Sequence, residues 1–218
     1  MSDFYQNGII TNLHNLRVQD TESLEKELLA FSKVRPMGLV LPSLYSELLS
    51  PALSKIVDEL TQVKYLSQIV IGLDRATKYE YKDAINYFAK LPQDHVILWN
   101  DGPRLKALDK KLQKMKIAPQ EMGKGRNVWY CFGYILASSK VESVALHDCD
   151  IVTYTRDMLA RLIYPVANPD FNYQFCKGYY SRVSKDKING RVCRLLVTPL
   201  IRSLMKMFPA NEYLEYLN

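Results

Sequence analysis

The sequence contains no long hydrophobic run: the apolar stretch Cys131 to Ala137 is far too short to cross a bilayer. The first residues, Met1-Ser2-Asp3-Phe4-Tyr5-Gln6, have neither a basic segment nor an apolar one, so nothing there suggests secretion. Only 4 cysteines occur, at positions 131, 149, 176 and 193, and none forms a Cys-x-x-Cys pair. That spacing fits neither a zinc site nor a small disulfide scaffold, and reduced, mostly buried thiols are expected. Internal repeats, low-complexity tracts and nucleic-acid motifs are likewise missing. These absences leave a globular chain, expected in the cytoplasm, with no membrane span and no nucleic-acid partner.

The 218 residues suffice for one substantial core, and 48% hydrophobic with 24% charged residues is ordinary for such a domain. The formal charge is +6. Basic residues concentrate in Arg104 to Lys116, which reads as the solvated face of a helix, and in Arg182 to Arg194. Small anionic ligands account for the excess as well as any polymer does.

Hydrophobic periodicity alternates along the chain. Helical spacing over Thr21 to Ser32 precedes a short apolar strand, Met37 to Leu41, stopped by Pro42 and Ser43. A helix over Pro51 to Leu60, a strand over Gln68 to Leu73 and a helix from Tyr79 to Leu91 follow. Then come a strand from His95 to Trp99, the basic helix, and Gly123-Lys124-Gly125 opening another helix. A last strand, Val144 to His147, runs into Asp148-Cys149-Asp150. Beyond it, Phe175 to Tyr180 reads as a strand, Lys185 to Gly190 as a polar turn and Thr198 to Phe208 as a helix. Near-continuous apolar strands separated by helices predict an α/β fold: an open, mainly parallel sheet covered by helices on both faces. Such sheets bind ligands beyond the carboxyl ends of their strands, where Pro42 to Glu47, Asp74, Asn100-Asp101 and Asp148 to Asp150 fall.

Asp148 and Asp150 are two apart at a strand end, so they project to one side. Converging carboxylates repel unless a cation lies between them, and hard ions such as Mg²⁺ or Mn²⁺ take such oxygen ligands together with substrate phosphates. The other reading is a turn with two solvated aspartates. Gly123-Lys124-Gly125 allows close backbone approach to an anion at a helix start, with Lys124 as a point charge; alternatively it is a surface turn. His147 is expected to pack in the core. No Ser-His-Asp or Cys-His grouping is legible.

Four segments in this order resemble the glucosyl-3-phosphoglycerate synthases, retaining glycosyltransferases of the GT-A type. Pro42-Ser43-Leu44-Tyr45-Ser46-Glu47 is similar to the family's Pro-Ala-Leu-Asn-Glu-Glu loop, and Gly123-Lys124-Gly125 to its Gly-Lys-Gly. Asp148-Cys149-Asp150-Ile151 is similar to its Asp-Ser-Asp-Leu metal motif, and Gly190-Arg191-Val192-Cys193 to its Gly-Arg-Val-Thr segment. The resemblance implies a GT-A glycosyltransferase-like sheet, with a Rossmann-like nucleotide-sugar domain over residues 1–165 and the incomplete start of an acceptor region over 166–218. It implies transfer of glucose, with retention, from a UDP- or GDP-sugar donor to 3-phosphoglycerate or a similar phosphorylated or carboxylate acceptor. Asp150, with Asp148, would bind Mg²⁺ or Mn²⁺, and Asp150 and Lys124 would carry the catalysis. Pro42, Ser43, Leu44, Glu47, Asp74, Lys124 and Asp148 would bind the donor; Gly190, Arg191 and Cys193 would bind the acceptor. Tyr45, Ser46 and Cys193 depart from the family pattern. Family members extend further, with a later metal-binding histidine, so a C-terminal truncation is expected. Tyr213 and Tyr216 would then cover a homodimer interface or mark the missing half. Two alternatives remain open: a truncated, non-catalytic nucleotide-sugar-binding protein, or a nucleotidyltransferase on a related sheet. The latter normally has a glycine-rich basic loop after its first strand, whereas Pro42-Ser43-Leu44-Tyr45 has neither feature.

Overall fold

A computed structural model describes residues 20–178 and 192–217, together with 10–11, 183–184 and 187–188. The chain forms two compact units, residues 19–169 and residues 1–18 with 170–218.

After the two-residue strand β1 (Ile10–Thr11), which belongs to the smaller unit, the larger unit runs α1 (Thr21–Phe31), β2 (Met37–Leu44), α2 (Pro51–Leu60), β3 (Leu66–Asp74) and α3 (Lys78–Phe88). It continues through β4 (His95–Trp99), α4 (Pro103–Lys114), α5 (Lys124–Ser138), β5 (Ser143–Leu146) and α6 (Arg156–Ala167). The four strands form one sheet in the order β4-β3-β2-β5, every neighbouring pair parallel. All carboxyl ends therefore share one edge of the sheet, and the helices return the chain to the opposite edge.

Side chains alternate across the strands. Leu39, Leu41, Ile69, Ile71 and Ala145 face the larger core, which α1, α2, α3 and α6 complete with Leu28, Leu53, Ile56, Phe88, Leu159 and Ile163. Val40 and Val70 face the other way, onto Cys131 and Ile135 of α5. Both faces are covered, which is why the strands read as unbroken apolar runs. Truncating a fully buried leucine here, such as Leu53, would cost about 2–5 kcal/mol. Helix α4 contributes no buried residue, so its lysines form a solvated face. Among the described residues no helix is long and apolar enough to cross a membrane.

One sequence expectation for the larger unit needs correction. Strand β2 does not stop at Pro42; it runs to Leu44 and pairs with β3 along its whole length. The cause is the side on which the missing N–H falls. The Val40 carbonyl accepts from His147 N–H, so alternate residues of β2, Pro42 included, point toward β5. The β5 ladder ends at the Val40–Leu146 pair, so no hydrogen bond is lost at Pro42. Helix α6 was not among the sequence expectations, and Pro165 lies inside it. Proline near the last turn removes one internal bond and leaves the preceding turns intact.

In the smaller unit β1 pairs in parallel with β6 (Phe175–Cys176), and β7 (Val183–Ser184) pairs antiparallel with β8 (Lys187–Ile188). The expected strand Phe175 to Tyr180 is thus confined to Phe175–Cys176 among the described residues; Tyr179 and Tyr180 lie outside them. A π-helical turn (Cys193–Val197) leads into α7 (Thr198–Met207), of which Ile201 is buried.

Candidate functional site

The loop after β5 is anchored from below. His147 and Cys149 are buried at 5% and 1% exposure, whereas Asp148 and Asp150 between and beyond them are exposed. Burial thus alternates from the strand end into the turn at Cys149–Asp150, and both carboxylates stand on the solvent side. Tyr154 is fully buried and its ring meets that of His147 edge-on at 5.3 Å, fixing the loop's far end. The Glu59 carboxylate accepts from the Arg156 N–H at 2.9 Å, satisfying one orphan donor at the start of α6. Burial lowers the His147 imidazole to about 4 and raises the Cys149 thiol, so both stay neutral near pH 7. His147 packs in the core, as expected from sequence. Cys149 keeps its proton and does not compete as a thiolate ligand.

Lys124 is the first residue of α5, and its ammonium donates to Asp148 Oδ1. Gly123 caps the helix with φ 140, a conformation in which a side chain would be strained, and among the described residues no side chain satisfies the first N–H groups. The ion pair is half-exposed, 54% and 50% for its two partners, so its own contribution to stability is small. It places a cationic group and unsatisfied N–H donors beside the aspartate loop.

What holds this helix start in place is Asn127, buried at 3% in the seam that α5 presents to the sheet. Its Nδ2 donates to the Gly72 carbonyl of β3 at 2.8 Å, and its Oδ1 accepts from the Cys131 thiol at 3.6 Å. Gly72 is in register with Pro42 on one side and Leu98 on the other, at the middle of the sheet.

The remaining expected donor residues lie along the same edge. Pro42 and Ser43 are buried at the end of β2, Leu44 is half-buried, and the Ser43 hydroxyl donates to the Leu44 carbonyl at 3.0 Å. Glu47 sits in the single turn of 3₁₀ helix Tyr45–Leu49, and one carboxylate oxygen accepts from the Leu44 N–H at 2.9 Å. Asp74 ends β3, is 9% exposed, and accepts from the Arg75 N–H at 3.0 Å, with Arg75 in the left-handed region at φ 54. Of the expected acceptor residues, Gly190 and Arg191 lie outside the described residues, and of Cys193 only the backbone is described.

A neighbouring cleft of about 220 Å³ is lined by Asp74, Asn100, Asp101, Asp109, Arg126 and Tyr130, among others. Tyr130 donates to Asp109, which holds that carboxyl below its ordinary value, and burial pushes the Tyr130 hydroxyl up to about 12. Asp101 accepts from the Ala76 N–H at 3.0 Å and fixes the turn after β3. The sequence reading missed Asn127, Arg126, Asp109 and Tyr130. For Asn127 a signal existed: a polar residue four and eight positions before Cys131 and Ile135 in an otherwise apolar helical seam.

The donor set suits a hard cation. Asp148 and Asp150 offer carboxylate oxygens, Asp150 makes no hydrogen bond or ion pair among the described residues, and Asp148 already attracts an ammonium group. Among the described residues no three His, Cys, Asp or Glu side chains gather at one point. Any ion held here therefore depends on ligand oxygens for part of its shell, the usual arrangement for Mg²⁺ with phosphates.

No protein-family model matches the chain. It is 46% identical to a glucosyl-3-phosphoglycerate synthase of Persephonella marina over all 218 residues, which cover 54% of that protein. It is 40% identical to a glucosyl-3-phosphoglycerate synthase of Methanococcoides burtonii over 205 residues, 93% of this chain and 50% of that one. The chain thus spans about half the length of the curated relatives it matches. Its fold is shared with the glucosyl-3-phosphoglycerate synthase of Mycobacterium tuberculosis, solved with Mn²⁺, UDP and glucosyl-3-phosphoglycerate: TM-score 0.58 at 18% identity, over 92% of this chain and 60% of that one. The same enzyme solved with Mn²⁺ and UDP-glucose gives TM-score 0.58 at 18% identity, over 95% of this chain and 61% of that one. A parallel sheet of GT-A type and full-length similarity to these relatives make the chain a homologue of the glucosyl-3-phosphoglycerate synthases, aligned to about half of their length.

Proposed function

We propose that this chain carries the donor site of a metal-dependent glycosyltransferase that moves glucose from UDP-glucose to 3-phosphoglycerate, retaining the anomeric configuration. The observation that carries the reading is the pair of exposed carboxylates, Asp148 and Asp150, held on either side of buried Cys149 beside Lys124 at the start of α5. The relatives' names and the ligands of the Mycobacterium tuberculosis enzyme support the choice of donor, cation and acceptor.

Asp150 and Asp148 would hold Mg²⁺ or Mn²⁺. Such an ion supplies positive charge against both phosphates of the leaving diphosphate. Lys124, paired with Asp148 in the free chain, provides a second cation that can turn to a phosphate oxygen, and the N–H groups opening α5 face the same anion. Glu47 and Asp74 each spend one carboxylate oxygen on a backbone N–H, which fixes the side chain and leaves the other oxygen for base or ribose hydroxyls. Pro42, Ser43 and Leu44 form the wall beside them. Arg191 and the Gly190 N–H would clamp the acceptor carboxylate or phosphate, with Cys193 alongside.

In the transfer, the bond from the anomeric carbon to the diphosphate oxygen breaks and a bond to the acceptor hydroxyl oxygen forms on the same face. The hydroxyl proton passes to the departing phosphate oxygen. No protein nucleophile is required, in keeping with neutral, buried Cys149. The test is incubation with UDP-glucose, 3-phosphoglycerate and Mg²⁺ or Mn²⁺, following UDP release and the mass of the glucosylated product. Metal-dependent product formation is expected. Because the chain covers 54% of its relative from Persephonella marina, a second reading is a binding-only form. UDP binding that needs the metal, without product, would select it. GDP-glucose in place of UDP-glucose tests the base.

A further inference from the structure

We propose that Asn127 is a positioning residue for the diphosphate of the donor: it sets the place of Lys124 and of the α5 start by tying them to the centre of the sheet. The inference rests on the donor reading given above.

Asn127, Cys131 and Ile135 form the i, i+4, i+8 stripe that α5 lays on β2 and β3. Two of the three are apolar or thiol groups. An amide in that row is costly to bury unless both its polar atoms find partners. Both do: Nδ2 donates to the Gly72 carbonyl at 2.8 Å and Oδ1 accepts from the Cys131 thiol at 3.6 Å. The thiol is pushed up to about 12 by burial, so it retains the proton it donates. The Asn127 N–H also donates to the Gly123 carbonyl at 3.1 Å, closing the first helical turn. One residue thus binds the loop glycine through its backbone and the central strand through its side chain.

The strand side is shaped for this contact. A methyl group on Gly72 would overlap Asn127 Oδ1 and lie 2.8 Å from Asn127 Cγ and 2.7 Å from Cys131 Sγ. The amide therefore rests directly on the strand backbone, two residues before Asp74 at the strand end. The close contact with Gly72 is made by Asn127 and Cys131, and Asn127 stands about one turn from Lys124. A helix held by apolar contact alone can slide or roll by fractions of an ångström. The directed amide–carbonyl bond removes that freedom, and small displacements of a charge-binding group carry a large cost.

The experiment uses the full chain and UDP with saturating Mn²⁺, titrated calorimetrically into wild type, Lys124→Ala, Asn127→Ala and the double variant. Asn127→Ala is expected to weaken UDP binding about tenfold, the scale on which residues that orient a binding group act. If Asn127 works through Lys124, the double variant binds no more than about twofold more weakly than Lys124→Ala alone. Unchanged affinity in Asn127→Ala, or a double variant showing the full product of the two losses, would overturn the proposal. Asn127→Asp supplies a readout independent of general destabilisation. Its buried carboxyl has a raised pKa, donates to the Gly72 carbonyl when protonated, and repels it when ionised. Relative to wild type, UDP affinity in this variant should therefore fall as pH rises through that pKa; a constant ratio across pH contradicts the role. If wild type itself binds no UDP with Mn²⁺, the donor reading falls and this inference with it. Normal wild-type and Lys124→Ala behaviour with an indifferent Asn127→Ala removes this inference only.

Discussion

Replacing Gly72 by alanine strikes the place where the Asn127 amide and the Cys131 thiol of α5 rest directly on the backbone of β3. Gly72 has no positive φ, so alanine brings no backbone strain, and the whole effect comes from the added methyl group. That methyl would stand 2.8 Å from Asn127 Cγ and 2.7 Å from Cys131 Sγ. One response is for the amide to swing away, stranding a buried donor at about 1–3 kcal/mol. The other is for α5 to lift from β3, with an overpacking cost of about 1–3 kcal/mol. Reduced freedom of the unfolded chain offsets about 0.4–1 kcal/mol of either. A net loss of roughly 1–2 kcal/mol follows. With a urea m-value near 2 kcal/mol/M, the unfolding midpoint should fall by about 0.5–1 M. Urea titration followed by circular dichroism measures it, together with the double variant Gly72→Ala/Asn127→Ala. In that background the methyl enters space the amide has vacated, so the two costs should fall short of adding by about 1 kcal/mol or more. A midpoint within about 0.2 M of wild type, or strict additivity, would refute the close approach of Asn127 to Gly72.

Two further outcomes are expected. Tyr130→Phe removes the hydroxyl that holds the Asp109 carboxyl below its ordinary value of 3.8. A lowered carboxylate pKa contributes stability above the unfolded value that is lost as pH falls through the folded one. The variant should thus be less stable than wild type by about 1 kcal/mol at pH 7, with the gap narrowing as pH falls below the ordinary carboxyl value; thermal melts across that range decide, and a pH-independent gap contradicts the assignment. Arg191→Ala should raise the KM for 3-phosphoglycerate while leaving UDP-glucose binding unchanged, and equal loss of both would contradict its assignment to the acceptor.

The parts of this chain that were legible in its sequence are those decided by one local rule. Strands β3, β4 and β5 are short apolar runs because helices cover both faces of the sheet, and their ends could be placed within two residues. The solvent-side placement of Asp148 and Asp150 follows from period-two alternation with His147 and Cys149. What was not legible depends on partners distant in sequence. The continuation of β2 through Pro42 rests on where β5 stops pairing, at Leu146. The place of Asn127 rests on a carbonyl 55 residues earlier in the chain. The cleft between Asp74, Asp109 and Arg126 assembles from β3, α4 and α5, none of which signals it alone. Helix α6 carries Pro165, a residue whose effect depends on its position near the helix end.

Whether Asp150 draws a divalent ion to the donor's diphosphate is measured most directly by calorimetry with UDP-glucose, with and without Mn²⁺. Wild type should bind more tightly with the metal, whereas Asp150→Ala should keep its fold, since Asp150 is exposed, and lose that tightening. An Asp150→Ala chain whose affinity for UDP-glucose still rises with Mn²⁺ as in wild type would contradict the account.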